Sequence, residues 1–205
     1  MILVVAIVAS IAVAWLQGGR FSSLTSLSVR WGGLSVAAFA LQSVFIFLTP
    51  TWSARGSWGW QELLFVGSHL LLLTVVWANR GLPGVKWIGI GLVLNLLVMV
   101  ANGGWMPISP EAMVRAGHLQ LVPSLDSGTR VSSSKSMVLP REETTLWFLS
   151  DIFVLGRPFP LSSVFSVGDV LVALGAFLLI QNGMLNSRGW IRPLESNERS
   201  RHDCI

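Results

Sequence analysis

The sequence predicts an all-α integral membrane protein: five transmembrane helices with a long outward loop before the last span. Three observations predict it. Of the 205 residues, 52% are hydrophobic and 12% charged, against about 25% charged in a soluble domain. The apolar residues come in five blocks, Met1–Leu16, Leu34–Leu48, Leu63–Ala78, Trp87–Ala101 and Val167–Met184. With its flanks, each approaches the ~20 residues that cross hydrocarbon. The ten tryptophans gather at block ends. Trp15, Trp31, Trp77 and Trp87 mark one set, Trp52, Trp58, Trp60, Trp105 and Trp147 the other, and Trp190 follows the last run. Indole rings favour the headgroup level, so this is the belt expected of spans.

Extended over their flanks, the blocks predict spans at about 1–17, 32–49, 62–79, 86–101 and 166–184, with a loop at 102–165 and a tail at 185–205, all in one polytopic domain. The first run has no basic residue before it, so it reads as a retained span rather than a cleaved signal. Basic residues orient the chain. Arg20 and Arg30 lie in the first loop, Arg80 and Lys86 in the third, and Arg188, Arg192, Arg199 and Arg201 in the tail. The short second loop holds only Arg55. The N-terminus is therefore expected outside, the tail in the cytoplasm and the 102–165 loop outside.

Composition also excludes functions. The net charge is +4, but the basic residues are scattered and form no stripe interleaved with aromatics, so nucleic acid is not an expected partner. The partner is the bilayer. The single cysteine, Cys204, rules out a disulfide framework or a cysteine metal site within one chain. Walker, dinucleotide, Ser-His-Asp and zinc motifs are all missing from the sequence, and no cofactor or metal is expected.

Within the loop, Ser109-Pro-Glu-Ala-Met-Val-Arg-Ala-Gly117 predicts a short helix, with Ser109 as N-cap, Pro110 at the first position and Gly117 as stop. Ser124 to Ser136 is rich in serine and glycine and reads as mobile. Leu146 to Leu155 is apolar but too short to span, and reads as interfacial or re-entrant.

Two carboxylates stand out. Asp169 lies one turn into the last run, on a stripe with Ala173, Ala176 and Ile180, so it should face the bundle. Ser166 to Asp169 has capping-box spacing, and an acid in a first turn suits the helix dipole. Asp151 lies 18 positions upstream. The segment Phe153 to Phe165 should return the chain to the same membrane face and bring the acids near one another. Two close carboxylates share a proton, and such a pair can activate water while polarising a carbonyl. Asn102, at the end of the fourth span, is a supporting polar candidate, although Asn102-Gly103-Gly104 is also a helix stop. Glu62 and His69, seven apart, read as interhelical hydrogen-bonding residues, and Gln42 and Asn95 as helix–helix contacts.

Leu149-Ser-Asp151-Ile-Phe followed by Phe165-Ser-Val-Gly-Asp169-Val resembles the C-terminal part of lipoprotein signal peptidase (signal peptidase II). That resemblance implies a catalytic dyad of Asp151 and Asp169, with Ser166 and Asn102 in support, a membrane-inserted peptide or lipid substrate, and a bacterial plasma membrane. It covers roughly Val98 to Ile180; the family's early Asp-containing motif is missing, and five spans stand in place of four. The whole chain, with Asn-Gly-Gly-Trp-Met-Pro and Phe-Ser-Val-Gly-Asp-Val, is also similar to an uncharacterised bacterial multi-span family. Three functions follow as expectations: a multi-pass membrane protein of uncharacterised activity, an aspartyl hydrolase, or a non-enzymatic binding or accessory protein.

Overall fold

The computed structural model describes residues 2–48, 58–122, 124–156 and 162–185. Trp52, Arg55, Trp190, Cys204 and the basic tail lie outside them. The chain is mostly helical. Five apolar helices form where the apolar blocks predict them: α1 (Ile2–Leu16), α2 (Gly32–Leu48), α3 (Trp60–Ala78), α4 (Val85–Ala101) and α6 (Val167–Leu185). The short α5 (Pro110–Ala116) lies between α4 and α6. Helices α3 and α6 are long and apolar enough to cross a membrane; α1, α2 and α4 are shorter. Large apolar side chains also cover outward faces, among them Val36, Phe47, Leu63 and Leu70. A helix apolar all round belongs in a core or in lipid.

The centre of the bundle is α6, packed on α4 and α1. It runs parallel to α1, where Ser10 Oγ donates to the Phe177 carbonyl (2.8 Å) and Gln181 Nε2 to that of Ser10 (2.7 Å). It runs antiparallel to α4, and here glycine sets the distance. Gly84 and Gly91 meet Gly175 and Gly168, so a Cβ on Gly175 would sit 2.6 Å from the Gly84 carbonyl oxygen, and one on Gly91 would strike the Gly168 carbonyl. The small-residue stripe predicted on α6 is thus only part of the contact. Ala173 is buried, but the closest approach belongs to the glycines. Between α2 and α3, Gln42 Nε2 contacts Ser68 Oγ (2.9 Å) and His69 Nδ1 (3.2 Å), as expected of interhelical polar residues.

Charge separates along the bundle. The end where α1 and α3 finish carries Arg20, Arg30, Arg80 and Lys86 and, among the described residues, no carboxylate. All seven described carboxylates lie at the other end or in the cap built there.

That cap is the 102–165 segment, and it corrects several expectations. It is not all α. Strands β1 (Met106–Ile108) and β2 (Ser136–Val138) pair in parallel, and β3 (Phe153–Leu155) and β4 (Ser163–Phe165) pair antiparallel, Phe153 opposite Phe165. The second pairing is the expected return of the chain. Ser124 to Ser136 is not a mobile tether: Val131 enters a core with Ile108, Ala112, Met113 and Val138, and Arg130 is 2% exposed. Leu146 to Leu155 forms a 3₁₀ turn at Trp147–Leu149 and then strand β3 within the cap. Trp105 is no belt residue. It is 1% exposed, donates to Glu62 Oε1 (3.0 Å) at the start of α3 and carries the Arg130 guanidinium 4.5 Å above its ring. Arg130 in turn donates to the Ile46 carbonyl of α2 (3.1 Å). Helix α5 matches expectation, with Ser109 Oγ accepting from Ala112 N (3.2 Å) and Gly117 left-handed at φ 69°.

Candidate functional site

Where cap meets bundle, three polar residues converge on Asp169. The last helix begins with a reciprocal cap: Ser166 Oγ accepts from Asp169 N (3.0 Å), and the Asp169 carboxylate accepts from Ser166 N (3.3 Å). This is the predicted capping box, with aspartate in the position more often held by glutamate. The glycine contact brings α4 close enough for Asn95 to join. Its Nδ2 donates to Asp169 Oδ1 (2.8 Å), and its Oδ1 accepts from Ser166 Oγ (2.8 Å).

The third residue is Lys135. Its Nζ lies 2.9 Å from Asp169 Oδ1 and 3.1 Å from Oδ2. Lys135 is placed by its backbone: its carbonyl accepts from Met106 N (3.0 Å) at the start of the β1–β2 pairing. Sequence reasoning missed it, because a lone lysine among serines reads as a solvated loop residue. The available signal was that Lys135, the only lysine in the loop, directly precedes the strand-like Ser-Met-Val-Leu139.

Asp151 sits behind this group, 3% exposed. Its amide donates to the Pro107 carbonyl (3.1 Å), which fixes it beside β1. Its Oδ2 accepts from Ser136 Oγ (2.9 Å), while Oδ1 is buried with no hydrogen-bond partner. Burial pushes Asp151 up to about 6, the Asp169 charge adding to the effect and Lys135 and Ser136 opposing it. For Lys135, burial works against the charged form, but Asp169 and Asp151 outweigh it and the ammonium is held above its ordinary range. The chemistry available is one ionised carboxylate locked to a lysine and one buried carboxyl that holds its proton up to about pH 6.

The structure therefore groups Asp151, Asp169 and Ser166 around Lys135. Asn102 stands elsewhere. Its side chain clamps the cap backbone, accepting from Thr145 N (2.9 Å) and donating to the Thr145 and Val98 carbonyls (2.8 and 2.7 Å). It ends α4 as expected, with Gly103 and Gly104 left-handed behind it, but it forms no hydrogen bond to either acid. Asn95, expected only as a helix contact, takes the place next to Asp169. No group of three His, Cys, Asp or Glu suited to a metal occurs among the described residues.

Comparison with known proteins gives a family and no activity. An uncharacterized protein of Thermotoga maritima is 33% identical over 154 residues, covering 74% of this chain and 82% of the relative. No solved structure matches. The model of the DUF5317 family, a family of unknown function, matches residues 26–181. Helices α2 to α5, α6 as far as Gln181, the cap, and the site residues Asn95, Lys135, Asp151, Ser166 and Asp169 all fall inside that match, and the chain belongs to the DUF5317 family.

Proposed function

We propose that this is a five-span protein of the bacterial plasma membrane, N-terminus outside and C-terminus cytoplasmic, that presents its 102–165 cap outside the membrane as a non-enzymatic binding or accessory module. The observation that carries the reading is the saturation of Asp169. Lys135, Asn95 and the Ser166 amide supply four contacts to its two oxygens. A carboxylate so occupied has little left with which to activate water. It serves instead as the pin between cap and bundle. Removing one partner of a buried ion pair costs about 3–5 kcal/mol, more than the loss of a surface pair. This pair is half-buried, so the expectation lies between those limits.

One observation favours a second reading, an aspartyl hydrolase acting in the manner of signal peptidase II on a membrane-inserted peptide or lipid. Asp151 and Asp169 differ in protonation: Asp151 keeps its proton up to about pH 6, while Asp169 is ionised and paired with Lys135. Asp151 also has an unpartnered oxygen. That is the division of labour an acid dyad needs.

The two readings separate in one experiment. The protein and its Lys135→Met, Asp169→Asn and Asp151→Asn variants are produced in a bacterium depleted of signal peptidase II, and prolipoprotein cleavage is followed beside cap resistance to added protease. The anchor reading expects no cleavage from any form, with Lys135→Met and Asp169→Asn caps digested faster. Cleavage by the parent that either aspartate variant abolishes would replace it with the hydrolase.

A further inference from the structure

We propose that the groove between α2, α3, α4 and α6, at the carboxylate-free end of the bundle, is a binding site for one acyl chain of an anionic phospholipid, whose headgroup is held by Arg30 and Lys86. The groove encloses about 220 Å³ and is lined almost wholly by apolar side chains, among them Phe39, Leu72, Val76, Ile88 and Val172. An apolar cavity of this kind with a few polar groups at one mouth is the usual form of a small-molecule site.

Charge at the mouth specifies the occupant. Asn79 lines the groove and holds the Arg30 backbone from both sides, accepting from Arg30 N (2.8 Å) and donating to the Arg30 carbonyl (2.8 Å). Arg30 therefore stands at the rim. Lys86 directly follows the lining residue Val85 at the start of α4. Arg80 follows Asn79, its guanidinium 4.7 Å above the ring of Trp77. No described carboxylate competes at this end. Exposed Trp31, Trp77 and Trp87 set the headgroup level there. Basic pockets between helices on the cytoplasmic side recognise anionic headgroups, and each cation at such a surface contributes roughly fivefold. A zwitterionic lipid would fill the groove but bring its own ammonium, which offsets the attraction of its phosphate to the cations.

The proposal rests on placing this end in the membrane, but its test does not depend on orientation. The purified full chain in mild detergent is incubated with phosphatidylglycerol or phosphatidylcholine of identical chains, and retained lipid is counted by native mass spectrometry. Phosphatidylglycerol should be retained at least about tenfold better, with one molecule per chain. The surface change Arg30→Gln with Lys86→Gln should bring that preference to near parity while unfolding temperature in lipid-free detergent stays level. Ser35→Trp, which fills the groove from α2, should reduce retention of both lipids. Equal retention of the two headgroups, a preference unmoved by removing the cations, or a lipid-free dimer covering the groove would each overturn the proposal. Reporter fusions that place the tail outside, with phosphatidylglycerol still retained, would overturn the orientation and leave the site.

Discussion

Asp151 is the residue whose burial has a measurable cost. Its carboxyl is raised to about 6 in the folded chain, against about 3.9 when unfolded. Below pH 4 both states hold the proton and the residue is neutral to stability. Between pH 4 and 6 the unfolded chain releases its proton while the folded one keeps it, so stability falls as pH rises, by about 3 kcal/mol in all, and levels off above 6. Melting temperature in detergent, scanned from pH 4 to 8, should show that decline in the parent. In Asp151→Asn the decline should flatten, and an unchanged slope would put the titrating group elsewhere. Ser166 gives a second expectation. It is fully buried, caps α6 and donates to Asn95. Ser166→Ala should cost about 1–2 kcal/mol, the upper part of the capping range, because it also strands the Asn95 oxygen. A denaturant series would measure it.

At the scale of elements, the α4–α6 contact matters most, because Asn95 reaches Asp169 only if the two backbones nearly touch. Gly91→Leu would push its side chain into the Gly168 carbonyl and Val172. The helices must part, and the Asn95–Asp169 hydrogen bond opens with them. Overpacking of this kind typically costs 1–3 kcal/mol. A disulfide between cysteines placed at Asn95 and Asp169 in an otherwise cysteine-free chain should form readily in the parent background and poorly with Gly91→Leu. Equal crosslinking would mean that the glycines do not set the spacing.

The helices were legible because runs of 15–19 apolar residues with little charge permit no other element of that length. The α6 cap was legible for a local reason: Ser166 and Asp169 are three residues apart. The cap's interior was not. Three-residue strands carry no alternation pattern, and β1 meets β2 across 30 residues of chain. Lys135 was hidden for the same reason, since its significance comes from a partner 34 residues away. The glycines were in view, 84 and 91 at the start of and within one helix and 168 and 175 on the other, both pairs seven apart. Their importance lay in facing each other, which spacing within one helix cannot reveal.

For the whole molecule, the separation of charge makes orientation testable. The short loops at one end carry Arg20, Arg30, Arg80 and Lys86, and the positive-inside bias, counted over short loops, predicts a cytoplasmic place for that end. A phosphatase reporter fused at Ser133 should be active, and one fused after Leu185 inactive. The opposite pattern would invert the topology.

The parallel pairing of α1 with α6 also sets an order of assembly. Helix α1 finds its main neighbour in α6, about 150 residues further along the chain. Ser10 bonds to residues 177 and 181, which are made long after it. At 5–20 residues per second, the ribosome takes roughly 8–30 s to get from the end of α1 to the start of α6. For that interval Ser10 is without its partners on α6. Asn95 and Lys135, once made, likewise wait for Asp169. The arrival of α6 therefore completes both sets of contacts together. A nascent chain stalled before Val167 would be a natural substrate for membrane quality control.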